Sequence, residues 1–214
     1  MATLLMFSGG IDSTAALVKL LNDTDEHIYA HHIYKFDLES DFHVEAEAMA
    51  TSKIIPYCQE KYRPFTYTTS KWEFKLPYFG WNLTLCAFVG AQVIRSVGNQ
   101  INRYAIGTHQ DDIFMQTGVD ERGFGDGSRR LQEALGVFYA CFGTSNREAL
   151  PSIYWPLRDM TRQDVVNSIP KDLLELTWSC RTPLKTETND FRPCGKCISC
   201  KTLQGINNLH ISFS

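Results

Sequence analysis

The string Ser8-Gly9-Gly10-Ile11-Asp12-Ser13-Thr14 limits what this chain can fold into more than any other feature, because of what flanks it. Ahead of it, the apolar run Thr3 to Phe7 reads as a short strand. Behind it, Ala15, Ala16, Leu17, Leu20 and Leu21 recur at helical spacing over Ser13 to Leu21. The expected unit is strand, glycine turn, helix. Glycines let such a turn approach a ligand, while the unpaired N–H groups of the first helical turn and the helix dipole attract phosphate oxygens. Ser8, Ser13 and Thr14 add hydroxyls. In parallel α/β sheets, ligands bind beyond the carboxyl ends of the strands, where this turn would lie. The plainer alternative is an ordinary turn with Asp12 or Ser13 as an N-cap.

The rest of the chain supplies the sheet that such a turn needs. Ile28 to Phe36 is rich in β-branched and aromatic residues and reads as a second strand. A helical stretch follows from about Asp41 to Tyr62, with Val44, Ala48, Ile55 and Cys58 on its apolar face and Pro56 expected to kink or end it. Pro64 to Thr69 reads as a third strand. From Asn82 to Val97 the sequence is apolar on every side, which predicts a buried helix crossing the sheet. Tyr104 to Gly107 and Ile153 to Leu157 complete five strands. This alternation predicts an α/β fold, a mostly parallel sheet with helices on both faces. Residues 1–175 are expected to form that domain, and 176–214 a small cysteine-bearing segment packed on it. Thr117 to Ser128, with Gly118, Gly123, Gly125 and Gly127, makes a long connection that is either functional or mobile.

Composition removes several classes. A chain of 214 residues that is 43% hydrophobic can bury one sizeable core, which argues against a disordered or fibrous protein. A net charge of -3 and a pI of about 6.1 give no global pull toward nucleic acid or an anionic membrane. The N-terminus lacks the pattern of a secretion signal, and no apolar run approaches the roughly 20 residues that span a bilayer. A soluble, cytoplasmic protein is expected.

In that setting the seven cysteines favour a metal site plus three buried thiols, Cys58, Cys86 and Cys141. Cys180, Cys194, Cys197 and Cys200 bring four thiols together at spacings suited to tetrahedral Zn²⁺. A shell closed by four sulfurs has no position for a catalytic water, so the zinc would be structural. An iron–sulfur cluster or disulfide chemistry are the alternatives.

The glycine string differs from the P-loop, having no lysine, and from the dinucleotide fingerprint. It matches S-G-G-x-D-S-T of the PP-loop ATP pyrophosphatases, which hold the pyrophosphate leaving group and release AMP. Together with the C-terminal cysteines it resembles the QueC family, the 7-cyano-7-deazaguanine (preQ0) synthases, over nearly the whole chain. The resemblance implies that Phe7, Ser8, Gly9, Gly10, Ile11, Asp12, Ser13 and Thr14 form the ATP loop and that the four clustered cysteines bind zinc. The family's Arg-Asn pair is similar to Trp81-Asn82, its glycine-ended strand and acidic segment to Ile106 through Asp112, and its Pro-Leu pair to Pro156-Leu157. Two departures stand out. Tyr34-Lys35-Phe36-Asp37 replaces the family's Gly-Gln-Arg-His, and the segment Arg181 to Pro193 is longer.

The implied reaction takes ATP, ammonia and 7-carboxy-7-deazaguanine to the nitrile through two adenylates, with Mg²⁺ bridging the phosphates. Asp12 and Asp111 or Asp112 are candidates to hold that ion, and Asn82, His109, Asp111 and Asp112 are candidates for substrate or proton handling. Trp72, Phe74, Tyr78, Phe79 and Trp81 are expected in the core or at a dimer interface more than against a substrate ring, and His31 and His32 in the core. Family members commonly pair, and an aromatic-rich surface would allow a homodimer.

Two competing functions stay open. One is a related PP-loop enzyme with another acceptor, either thiolating a tRNA base, with Cys86 or Cys141 as the sulfur carrier, or conjugating a deazaguanine to a macromolecule. The other is a nucleotide- or zinc-binding adaptor without catalysis.

Overall fold

The computed structural model describes residues 1–36, 41–73, 82–98, 100–114, 127–143 and 150–206. Five strands, β1 (Ala2–Met6), β2 (His27–Phe36), β3 (Thr66–Glu73), β4 (Arg103–Ala105) and β5 (Ser152–Tyr154), form one sheet in the order β3-β2-β1-β4-β5. Every neighbouring pair is parallel, with Leu4 of β1 in register with Tyr29 on one side and Tyr104 on the other. β1 is buried along its whole length, which is why it reads as an unbroken apolar run rather than an alternating one.

Alternate residues of β1 serve opposite core layers. Leu5 faces the layer built with α1 (Ile11–Asp23), α2 (Asp41–Lys61) and α6 (Arg162–Ser168), where Leu17, Ile54 and Val165 meet. Leu4 and Met6 face α3 (Asn82–Val97) and α5 (Gly127–Ala140), where Tyr104 stacks on Phe138 at 4.6 Å between ring centres. The order of the chain reverses between β1 and β4. A crevice opens there beyond the strand ends, and the Ser8 turn and the short α4 (Gln110–Phe114) both lie at it.

The α/β architecture and the bounds of α3 agree with the sequence reading, while several details differ, among them β4, which begins at Arg103 and ends at Ala105 instead of Gly107. α2 continues through Pro56 to Lys61, because Pro56 faces solvent, where water can satisfy the carbonyl it orphans, while Ile54, Ile55 and Cys58 anchor the inner face. β3 runs on to Glu73, and β5 is only three residues long. Beyond β5 come α6, α7 (Lys171–Leu174), the antiparallel hairpin β6 (Leu184–Lys185) and β7 (Phe191–Arg192), and α8 (Ile198–Gln204). Leu203 of α8 joins the core layer beneath α1.

Most of the glycine-rich connection, residues 115–126, lies outside the described residues, as do Phe74, Tyr78, Phe79 and Trp81. Trp72 packs edge-on against Phe88 in the core layer of α3. No helix among the described residues is long and apolar enough to cross a membrane.

Candidate functional site

The turn between β1 and α1 is organised by its own hydroxyls. Ser13 Oγ accepts from the Ser8 N–H at 3.2 Å and donates to the Gly10 carbonyl at 3.1 Å. Ser8 Oγ lies 3.1 Å from Ser13 Oγ and accepts from the Gly10 N–H at 3.3 Å. Gly9 adopts φ +80°, and a Cβ there would stand 2.8 Å from Thr51 Cγ2, so both the conformation and the space require glycine. Gly10 begins α1 with no side-chain cap, which leaves the N–H groups of the first helical turn available to an anion. At the end of β4, a Cβ on Gly107 would lie 2.8 Å from the Asp12 carbonyl oxygen and 3.1 Å from Ser13 Cα. The glycine after β4 is thus what lets that strand end close against the turn.

Beside the turn lies a charged cluster. Asp12, His109 and Asp112 place one ligand atom each within 4.8 Å of one another, a set able to hold a cation. His109 is 1% exposed. Its Nε2 is 3.2 Å from Asp112 and 3.9 Å from Asp12, and its Nδ1 is 3.9 Å from Asp111, yet neither ring nitrogen makes a hydrogen bond. Buried polar atoms left without partners point to a missing partner, here one that also satisfies carboxylates. Arg162 Nη1 lies 3.2 Å from Asp12, and the Arg162 N–H donates to Asp111 at 2.8 Å. Burial raises the Asp12 carboxyl above the usual range, opposed by Arg162 and His109 and reinforced by Asp112.

From this cluster a pocket of about 330 Å³ extends between α2 and α3. Ser8, Asp12, Ser13, Gly107 and Asp112 line one end, and Lys35, His43, Glu47, Asn82 and Cys86 line the other. Lys35 Nζ donates to Asn82 Oδ1 at 2.7 Å, and His43 Nε2 lies 3.6 Å from Glu47. Burial pushes the Glu47 carboxyl up to about 8, against the pull of Lys35. Burial, with Glu47 adding to it, pushes the Cys86 thiol up to about 12.

The paired histidines of β2 differ. His31 has both ring nitrogens bonded, to Thr68 and Ser70, and burial followed by repulsion from His32 lowers it to about 4. His32 must carry its proton on Nδ1, 2.9 Å from the Phe7 carbonyl, because that oxygen can only accept.

The four C-terminal sulfurs also lie within 4.8 Å of one another. They receive hydrogen bonds expected around metal-bound thiolates: Cys180 Sγ from the Cys194 N–H at 3.2 Å, and Cys194 Sγ from Thr182 Oγ1 at 3.1 Å and from the Cys197 N–H at 3.3 Å. The Thr182 hydroxyl, followed by the Lys196 N–H, lowers the Cys194 thiol to about 6. Four soft donors converging in this way fit Zn²⁺ or an iron–sulfur cluster. The cysteine segment is tied to the turn by the Trp178 backbone N–H, which donates to the Gly9 carbonyl at 2.9 Å.

The structure therefore gathers Phe7, Ser8, Asp12, Ser13, Asn82 and Asp112 at one pocket, with His109 beside it. Asp111 instead faces the start of α6. Of the three thiols expected to be buried, only Cys58 is fully so. Cys86 and Cys141 are half-buried, and Cys86 opens on the pocket. Sequence reasoning did not select Lys35, Glu47 or Arg162. Arg162 had a legible signal, since Thr161-Arg162-Gln163-Asp164 is a capping box that starts α6 at this point.

No protein-family model matches the chain, and no curated protein matches it. Among solved structures it is similar to the U34-tRNA thiolase NcsA from Methanococcus maripaludis with its [4Fe-4S] cluster, with TM-score 0.51 and 15% identity over 85% of this chain and 60% of that one. A predicted subunit of a tRNA methyltransferase from Methanocaldococcus jannaschii aligns at 14% identity and TM-score 0.37, over 78% of this chain and 73% of that one. The chain thus spans about 60% of the length of the thiolase. The likeness to the thiolase bears on architecture alone, a parallel α/β sheet flanked by helices.

Proposed function

We propose that this chain is an ATP-dependent, AMP-forming enzyme that activates a carboxylated 7-deazaguanine for attack by ammonia and carries it on to the nitrile. The observation that carries this reading is the continuity of one pocket, from the turn and its carboxylates to the polar wall of Lys35, His43, Glu47 and Asn82. A nucleotide and an acceptor can then meet with reacting atoms side by side.

On this reading the turn from Phe7 to Thr14 receives the β- and γ-phosphates on the N–H groups of α1, so that pyrophosphate leaves against a positive helix end. A carboxylate oxygen of the acceptor attacks the α-phosphorus and the bond to pyrophosphate breaks. Ammonia displaces AMP and loses a proton, giving the amide. The amide oxygen repeats the attack on a second ATP, and departure of AMP with the remaining N–H protons leaves the nitrile.

Asp12 and Asp112, with His109 between them, are suited to Mg²⁺, which would neutralise phosphate charge there. Asn82, its carbonyl occupied by Lys35, keeps its amide N–H groups for the acceptor, and Glu47 offers a carboxyl to ring N–H donors. The four cysteines would hold a structural zinc.

The second reading is sulfur transfer to a tRNA base, supported by the fold shared with the thiolase and by a cysteine set that also suits an iron–sulfur cluster. Against it, the thiol in the pocket, Cys86, is held protonated at neutral pH and is a poor nucleophile.

The test incubates purified protein with ATP, Mg²⁺, ammonium and 7-carboxy-7-deazaguanine, following nucleotides by chromatography and the base by mass. AMP with the nitrile supports the proposal. AMP without nitrile moves the acceptor elsewhere, and loss of turnover on Cys86→Ser, with the fold intact, would favour sulfur chemistry.

A further inference from the structure

The segment between Cys180 and Cys194 is more than a connection. It rises as the β6–β7 hairpin, closed by the Thr186 N–H to the Asp190 carbonyl at 2.8 Å, and reaches the first turns of α2. There Lys185 Nζ lies 3.3 Å from Glu45 Oε2, 5.3 Å from the centre of the Phe42 ring and 5.8 Å from that of Phe191. The Phe42 and Phe191 ring centres are themselves 6.1 Å apart, and that of Phe191 is 6.5 Å from that of Trp178, whose backbone N–H donates to the Gly9 carbonyl. One cation thus clasps an aromatic from each element and a carboxylate of α2. The base of the hairpin is bonded to the cysteine cluster through Thr182.

The periodicity of α2 gives this contact its consequence. Phe42 and Glu45, three apart, face the hairpin, whereas His43 and Glu47, four apart, face the pocket together with Val44. Whatever fixes the first face fixes the second.

We propose that the β6–β7 hairpin is a strap that sets the acceptor wall of the pocket, with Lys185 as its positioning residue. The proposal rests on the reading above, in which His43, Glu47 and Asn82 meet the acceptor while the Ser8 turn meets ATP. Lys185 touches neither. Its loss lets the first turns of α2 open, moving Glu47 away from the acceptor and leaving the nucleotide end in place.

The experiment uses the full chain with its metal, as wild type, Lys185→Ala and Lys185→Arg. Amide exchange over residues 45–51 is measured without substrates, and steady-state constants are measured for ATP and for 7-carboxy-7-deazaguanine. In Lys185→Ala, exchange over 45–51 quickens and the acceptor KM rises about fivefold to tenfold, the size expected for losing an exposed ion pair and two cation–π contacts together. The kcat, the ATP KM and the metal content stay as in the wild type. Lys185→Arg restores both readouts, because guanidinium keeps the charge and stacks on rings.

Unchanged exchange and unchanged acceptor KM in Lys185→Ala would overturn the strap. So would an equal loss of ATP affinity or of bound metal, which would mark Lys185 as general scaffolding. If the wild type does not turn over this acceptor, the functional reading fails by itself, and the exchange arm still decides whether Lys185 restrains α2.

Discussion

Glu47→Gln should stabilise the protein at alkaline pH and do nothing for it in acid. The Glu47 carboxyl titrates near 4.5 in an unfolded chain and is pushed up to about 8 in the pocket by burial. The folded protein therefore holds this proton more tightly. The associated stability is complete below pH 4.5 and is lost as pH rises through about 8. That gap corresponds to about 5 kcal/mol at roughly 1.4 kcal/mol per unit. The Glu47 side chain keeps 20% of its surface open to the pocket, so entering water reduces the cost to about 2 kcal/mol. Glutamine mimics the protonated acid and avoids the loss. For a chain of this length the difference is about 4–8 °C in Tm. Thermal unfolding of both proteins should show Glu47→Gln higher by that amount at about pH 9, and the gap should shrink to nothing near pH 4. A gap that is absent or reversed at alkaline pH would refute the placement of Glu47 in a poorly hydrated pocket.

Further perturbations separate the parts of the site. Gly107→Ala forces a methyl against the Asp12 backbone at 2.8 Å, so ATP affinity measured by calorimetry should fall at least about tenfold, with about 1–3 kcal/mol lost in stability. Asp12→Asn removes a carboxylate from the cation set, and the Mg²⁺ concentration needed for half-maximal AMP formation should rise about tenfold. Metal analysis should find about one zinc per chain, held by the four cysteines and lost in Cys194→Ser, with a lower Tm for the stripped protein. Iron with acid-labile sulfide in place of zinc would favour the sulfur-transfer reading instead.

What the sequence disclosed follows from how local each signal is. The Ser8–Thr14 turn and the cysteine cluster are written in consecutive residues, and the apolar run of α3 shows its burial directly. Parallel alternation was legible because each strand and each crossover helix has its own period. Of the far wall of the pocket only Asn82 was marked, because Lys35 and Glu47 come from separate elements and meet it only when α2 and α3 close over the crevice. Lys35 stands at the end of β2, where nothing in its neighbours marks which face it takes. Pro56 misled because a proline's effect depends on whether the carbonyl it orphans meets solvent, and that is a property of the packed helix. The hairpin was hidden for another reason: β6 and β7 have two residues each, too few for any periodicity to register.

In the proposed reaction an acceptor oxygen attacks the α-phosphorus of ATP in this pocket. Heavy-oxygen label in the carboxylate of 7-carboxy-7-deazaguanine tests it most directly, with the AMP product analysed by mass spectrometry in the presence of ammonium and Mg²⁺. One labelled oxygen should appear in the AMP from the first activation. Unlabelled AMP, or ADP in place of AMP, would contradict it.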